Sequence, residues 1–206
     1  MMKSPIKHII FDLGGVFLNI DFQLTNQAFV DLGVLQFNEM FTQHFSNPLF
    51  ELLETGRISE EEFYTAFRKE SKTTLSNEQI KRAWNALLLD FPKERIDWLK
   101  EISKKYRIFL FSNTNQIHYD CFIERFKMQH PGLDFDSLFI KAYYSQNLGL
   151  RKPYPESFRA ILEEQSLHAG ETLFIDDTIK NIEAAQELGL QTIHLKAPLT
   201  VLDLSL

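Results

Sequence analysis

Asp12 directly follows the apolar run HIIF, Ser112 and Asn113 follow RIFLF, and Asp176 and Asp177 follow TLFI. Three carboxylates brought together repel one another, so their convergence asks for a cation, and an acidic site built from oxygen ligands suits Mg2+. That ion keeps several waters and takes a substrate phosphate. Lys152, in GLRKPYPE, adds a fixed positive charge, and Ser112 adds a hydroxyl donor. Together these types make a phosphate site, provided the fold brings them to one place.

The elements that must do so are short apolar runs. HIIF (8–11), RIFLF (107–111), LFIKAY (138–143), TLFI (172–175) and QTIHL (191–195) read as strands, and their near-continuous hydrophobicity implies burial on both faces. Helical patterns separate the later runs, such as Ile179, Ile182, Ala185 and Leu188 ended by Gly189. Strand alternating with helix predicts an α/β fold with a doubly wound parallel sheet. In such a sheet the carboxyl ends of the strands share one edge, where ligands bind.

Residues from about 20 to 90 break the alternation. FQLTNQAFVDLG, NEMFTQHF, PLFELLETG, SEEEFYTAFRKE and SNEQIKRAWNALL all read as helical, with no convincing strand. Ser59 with Glu62, Asn77 with its neighbouring acids, and Asp21 read as helix starts. The expected organisation is a core domain of residues 1–17 and 90–206 with a small helical cap domain, 18–89, inserted after the first strand. With no flexible Gly/Ser linker, the insertion is expected to pack on the core.

Composition narrows the partners. The 206 residues can bury a substantial core, and a formal net charge of -6 without a basic stripe argues against nucleic acid. The one cysteine, Cys121, permits no internal disulfide, and no apolar stretch reaches membrane-spanning length. The expectation is a cytoplasmic protein, without membrane or nucleic-acid partners, acting on a small molecule. Oligomeric state is not legible.

In order, FDLGGV, LFSNTN, LRKP and FIDDTIKNIEAA resemble the four motifs of the haloacid dehalogenase-like hydrolases over nearly the whole chain, and the insertion falls where that superfamily carries a cap. DLGGVFLNID and SNTNQIH further resemble a bacterial subgroup, some of whose members hydrolyse α-glucose-1-phosphate. The resemblance implies a Mg2+-dependent phosphatase that hydrolyses a small phosphomonoester, a sugar phosphate by preference, through an aspartyl-phosphate intermediate. Asp12 would be the nucleophile. Ser112 and Asn113 would bind the phosphoryl group and Lys152 would neutralise it. Mg2+ would take Asp12, the backbone carbonyl of Gly14, Asp176 and Asp177. Asn181 would orient Lys152 or the substrate phosphate.

Gly14 is the departure. Most phosphatases of the superfamily carry a second aspartate there, as acid to the leaving group and base to the attacking water. The glycine keeps the carbonyl and loses that proton transfer. Three readings follow: a slower or differently assisted phosphatase, a metal-independent 2-haloacid dehalogenase, or a catalytically impaired binding or regulatory protein. Two acids at 176 and 177 would be poorly neutralised without a cation, which favours the phosphatase over the dehalogenase.

His118 is a candidate replacement acid, against the plainer reading of a surface histidine in the first turn of a helix. Asp21 reads as a helix cap, with contact to substrate as the cap closes as the alternative. Phe17, Phe22 and Phe45 read as core, with a substrate pocket as the alternative.

Overall fold

The computed structural model describes residues 4–42 and 45–206. Along the chain, β1 (His8–Phe11) leads into α1 (Phe22–Asp31), α2 (Phe37–Met40), β2 (Phe41–Thr42), β3 (Phe45–Ser46), α3 (Pro48–Glu54), α4 (Glu60–Ser71) and α5 (Asn77–Trp84). Next come α6 (Lys93–Ile102), β4 (Arg107–Ser112), α7 (Gln116–Gln129), β5 (Lys141–Tyr144), α8 (Ser145–Leu148) and α9 (Pro155–Glu164). The chain closes with β6 (Thr172–Asp176), α10 (Ile179–Glu187) and β7 (Gln191–His194).

Five strands form one parallel sheet in the order β5-β4-β1-β6-β7. Because β1 is central, its alternate residues feed two cores. Ile9 and Phe11 pack with Ile96 and Leu99 of α6 and Phe122 and Phe126 of α7. Ile10 packs on the opposite face with Phe158 and Ile161 of α9 and Ile182 of α10. Helices therefore cover both faces, as the unbroken apolar strands required. Phe11 lies opposite Leu110 and Ile175, so the chain leaves β1, β4 and β6 at one edge.

The insertion has its own core, built largely of aromatic rings. Trp84 touches Phe41 and Phe50 at centroid distances of 4.6 and 4.9 Å, and Phe29 stacks on Phe37 at 4.2 Å. Ile117, from the start of α7, joins this cluster and anchors the insertion on the sheet layer. A fully buried Phe contributes on the order of 1.5–3 kcal/mol, so much of the chain's phenylalanine is explained by packing. The two junctions run side by side: Asn19 N donates to Asp90 O and Leu89 N to Asn19 O, both at 2.9 Å, and Asp21 N donates to Leu87 O.

Local structure departs from the sequence reading in three places. The third strand starts at Lys141, because Asp136–Leu138 forms a 3-10 turn. NEMFTQHF is helical only to Met40; Phe41–Thr42 then pairs antiparallel with Phe45–Ser46, while residues 43 and 44 of that stretch lie outside the described residues. A ribbon this short carries too few residues for a two-residue period to register. The α5 cap is Ser76, not Asn77: its hydroxyl accepts from Gln79 N and Gln79 Oε1 accepts from Ser76 N. Ser59 with Glu62 and Asp21 with Gln23 cap as expected.

Candidate active site

The shared strand edge gathers the predicted groups. Lys152 Nζ lies 2.6 Å from Asp12 Oδ1 and 2.7 Å from Asp176 Oδ2, and its side chain is 1% exposed. It reaches them beneath the rings of Phe111 and Phe174, whose centroids are 5.3 and 5.5 Å from Nζ. Asn113 positions the lysine: its Oδ1 accepts from Lys152 N and its Nδ2 donates to Lys152 O, both at 2.9 Å. Ser145 Oγ accepts from Thr114 N and donates to Thr114 O, holding the loop after β4. Ser112 is buried at the end of β4, with only a long 3.5 Å contact from its hydroxyl to Asn113 O.

Asp176 is closely held as well as buried. Beyond Lys152, its carboxylate accepts from Thr178 N at 2.7 Å and from Asn181 Nδ2 at 3.1 and 3.0 Å. Asn181 thus orients Asp176, and touches the lysine only through it; sequence reasoning placed it on Lys152 or on the phosphate. Asp177 accepts from Thr178 Oγ1 at 3.1 Å and packs against Gly15, where an added Cβ would lie 2.6 Å from Asp177 Oδ2. Gly15 also has φ +72, so both the backbone and the close approach require glycine there. Sequence reasoning missed this requirement, although the Gly14–Gly15 pair signalled it.

Asp12, Asp176 and Asp177 each offer a carboxylate oxygen within 4.8 Å of the others. One lysine does not balance three acids. Burial pushes the Asp12 carboxyl up to about 7 against the pull of Lys152, with Asp176 and Asp177 adding to the rise. Burial, then Asp176, raises Asp177 too. For Lys152 itself burial acts downward, but Asp12 and Asp176 more than offset it and the ammonium is raised. Such a site fits a divalent cation, which would relieve the excess negative charge.

Above the acids lies a cavity of about 360 Å³. Asp12, Ser112, Lys152 and Asp177 form its floor. Ile20, Phe22, Phe41 and Phe45 supply an apolar wall, and Glu51, Glu54, Arg151 and Tyr154 a polar one. Phe22 and Phe45 are therefore pocket residues rather than core, while Phe17 is fully buried core. Arg151 and Glu54 are further residues that sequence reasoning missed; Arg151 was within the LRKP motif, but nothing marked the inward face of α3. Asp21 accepts from Gln23 N at 2.8 Å as the α1 cap and does not line the cavity.

His118 is not a surface residue. It lines the cavity and is buried, stacked on Trp84 at 4.5 Å, with Nδ1 2.8 Å from Asn85 Oδ1. Burial pushes its imidazole down to about 3, so the ring is neutral near pH 7. A ring that stays neutral has no readily released proton to give to a leaving group. That argues against His118 as the missing acid.

Residues 6–189 match the family model for haloacid dehalogenase-like hydrolases. The chain is 32% identical over 191 residues to a D-ribitol-5-phosphate phosphatase of Bacteroides thetaiotaomicron, covering 92% of this chain and 91% of that protein. It is 27% identical over 199 residues to a sesquiterpene phosphatase of Aspergillus oryzae, covering 94% and 92% respectively. Among solved structures it is similar to a HAD family enzyme of Bacteroides thetaiotaomicron, an aspartate-to-alanine variant in complex with magnesium and inorganic phosphate. That similarity has a TM-score of 0.88 at 34% identity and covers 94% of this chain and 95% of the other. By its matched length, its strand-end motifs and its fold, the chain belongs to the haloacid dehalogenase-like hydrolases.

Proposed function

We propose that the chain is a Mg2+-dependent phosphomonoesterase acting through an aspartyl-phosphate on Asp12. The carrying observation is the cluster of Asp12, Asp176 and Asp177 around Lys152 on the floor of the cavity. The phosphatase relatives and the solved neighbour with magnesium and phosphate support the same reading.

A carboxylate oxygen of Asp12 attacks phosphorus, and the ester P–O bond breaks to release the alcohol. Water then attacks phosphorus, releasing inorganic phosphate and restoring the Asp12 carboxylate. Lys152 pulls the Asp12 carboxyl towards its ionised form and holds it in position, and Ser112 Oγ–H donates to a phosphoryl oxygen. Asn113 fixes the lysine's backbone, and Asn181 with Thr178 N fixes Asp176. Asp12, Asp177, Asp176 and the Gly14 carbonyl would hold Mg2+, which when bound neutralises charge on the transferring phosphoryl group. With Gly14 contributing no side chain, the alcohol takes its proton from cavity water.

Residues 18–89 act in this reading as a cap that excludes bulk water, hinged at Phe17–Asp21 and Leu89–Pro92. Among the described residues no helix is long and apolar enough to cross a membrane; the reading places the enzyme in the cytoplasm, in keeping with its single cysteine. The substrate class is a short sugar or polyol phosphate. Phosphate release should require Mg2+, stop on chelation, and be absent in Asp12→Asn, an almost isosteric change. Chloride release from a 2-haloacid without metal, or phosphate release surviving Asp12→Asn, would overturn the reading.

A further inference from the structure

The polar wall of the cavity is under-satisfied. Among the described residues, eight buried side-chain nitrogens and oxygens have no hydrogen-bond partner, and four of them, Glu54 Oε2, Arg151 Nε and both amide atoms of Gln146, belong to one seam. That seam joins α3 of the cap to the segment 145–151 of the core: Gly56, just past α3, approaches so closely that an added Cβ would lie 2.2 Å from Gln146 O. Buried polar atoms without partners are costly and rarely tolerated without a use. Two of these atoms, Glu54 Oε2 and Arg151 Nε, belong to residues that border the cavity, where a ligand could complete their bonding.

Glu54 and Arg151 are the two members of the seam that also line the cavity. The guanidinium lies 3.1 Å from Glu54 Oε2 and 3.6 Å from Glu51 Oε2, close enough for charge balance, but the Glu54 contact is poorly aligned as a hydrogen bond. A guanidinium has five N–H donors and a carboxylate about four acceptor sites, so the pair keeps donors and acceptors to spare. Glu54 is 6% exposed and Arg151's side chain 16%, so both are held rigidly rather than waving in solvent. The rings of Phe22 and Phe41 line the same cavity and offer flat apolar surface. A chain of C–OH units suits such a cleft: its C–H faces lie on the rings, and each hydroxyl both donates and accepts.

We propose that Glu54 and Arg151 form a hydroxyl-reading subsite, one contributed by the cap and one by the core, that commits the cavity to phosphate esters of polyhydroxylated alcohols. The inference rests on the phosphatase reading above and names the substrate class of that site. Arg151 immediately precedes Lys152, so the group that reads the leaving alcohol and the group that holds the nucleophile sit on one short loop. The same pair joins cap to core, so a hydroxylated leaving group would be sensed where the cap closes.

The test compares a pentitol 5-phosphate with pentyl phosphate, its hydroxyl-free counterpart, in Mg2+, with p-nitrophenyl phosphate as a check on phosphatase chemistry. For the wild type, kcat/KM for the pentitol ester should exceed that for the pentyl ester by about 10²-fold or more, because a site built to bond hydroxyls strongly rejects an analogue lacking them. In Glu54→Gln and Arg151→Lys that ratio should fall by roughly tenfold or more, chiefly through KM for the pentitol ester. Wild type that cleaves both esters equally well overturns the subsite, as does a ratio unmoved in both variants because both substrates lose the same factor. The wild-type comparison needs no variant to fold. Failure to hydrolyse any ester, p-nitrophenyl phosphate included, would instead overturn the phosphatase reading and this inference with it.

Discussion

Replacing Gly14 by aspartate should supply the acid that the site lacks, and the structure indicates what must move to admit it. Gly14 is not among the glycines with positive φ, so its backbone accepts a side chain. A Cβ there would lie 2.8 Å from Ile20 Cδ1, but 3.8 Å from Ile20 Cγ1 and 3.9 Å from Cγ2. Ile20→Val removes Cδ1 alone, leaving ordinary contacts, at a cost of about 0.5–1.5 kcal/mol at most because Ile20 is only half-buried. General acid–base assistance is worth roughly 10²- to 10⁴-fold, or about 2.7–5.4 kcal/mol of barrier. Gly14→Asp/Ile20→Val should therefore raise kcat for an alkyl phosphate, whose alkoxide is a poor leaving group, by at least about tenfold. The gain should shrink for p-nitrophenyl phosphate, which needs little protonation. Phosphate release at saturating Mg2+ measures both, with Gly14→Asn/Ile20→Val as a partner of equal shape but no acid. If the Asp and Asn variants turn over the alkyl phosphate equally, Gly14 does not mark the missing proton donor.

Asn113→Ala removes two hydrogen bonds from the Lys152 backbone and should cost about 1–3 kcal/mol in urea unfolding, with kcat reduced more than KM is raised. Lys152→Met leaves Asp12 and Asp176 buried without their cation; the expected loss is about 3–5 kcal/mol without Mg2+, partly restored by adding the ion, and no phosphatase activity. His118 carries a pKa lowered from 6.5 to about 3, so its stability contribution is complete above pH 6.5 and is lost as pH falls towards 3, when the unfolded chain takes up a proton that the native ring refuses. Between pH 7 and pH 5 this amounts to about 2 kcal/mol, read as the difference in pH dependence of urea unfolding between wild type and His118→Phe. Equal slopes for the two proteins would refute the buried neutral ring.

The strand ends were legible because a parallel sheet leaves little choice. Asp12, Ser112 and Asp176 each follow an apolar run, and the register of β1 with β4 and β6 brings those positions to one edge whatever the intervening length. Lys152 and Asn113 were legible as members of the site, but not as partners, since their backbone clip depends on how the loop after α8 returns to β4. The insertion was readable as helices and not as a surface. Glu54 becomes a cavity residue only through the orientation of α3, and the α3 sequence PLFELLE is apolar on most of its turns. His118 was misjudged for the same reason: Trp84, far away in sequence, covers it. The ribbon at Phe41–Thr42 and Phe45–Ser46 is likewise held by surrounding aromatic packing more than by its own pattern.

The covalent role of Asp12 is tested most directly by trapping. Enzyme mixed with a pentitol phosphate and Mg2+, quenched in acid within a turnover and reduced with borohydride, should yield homoserine at position 12 on peptide mapping, because an aspartyl-phosphate is reduced where a free carboxylate is not. Rapid phosphate release with position 12 recovered only as aspartate, or with the phosphoryl group trapped on another residue, would contradict the account.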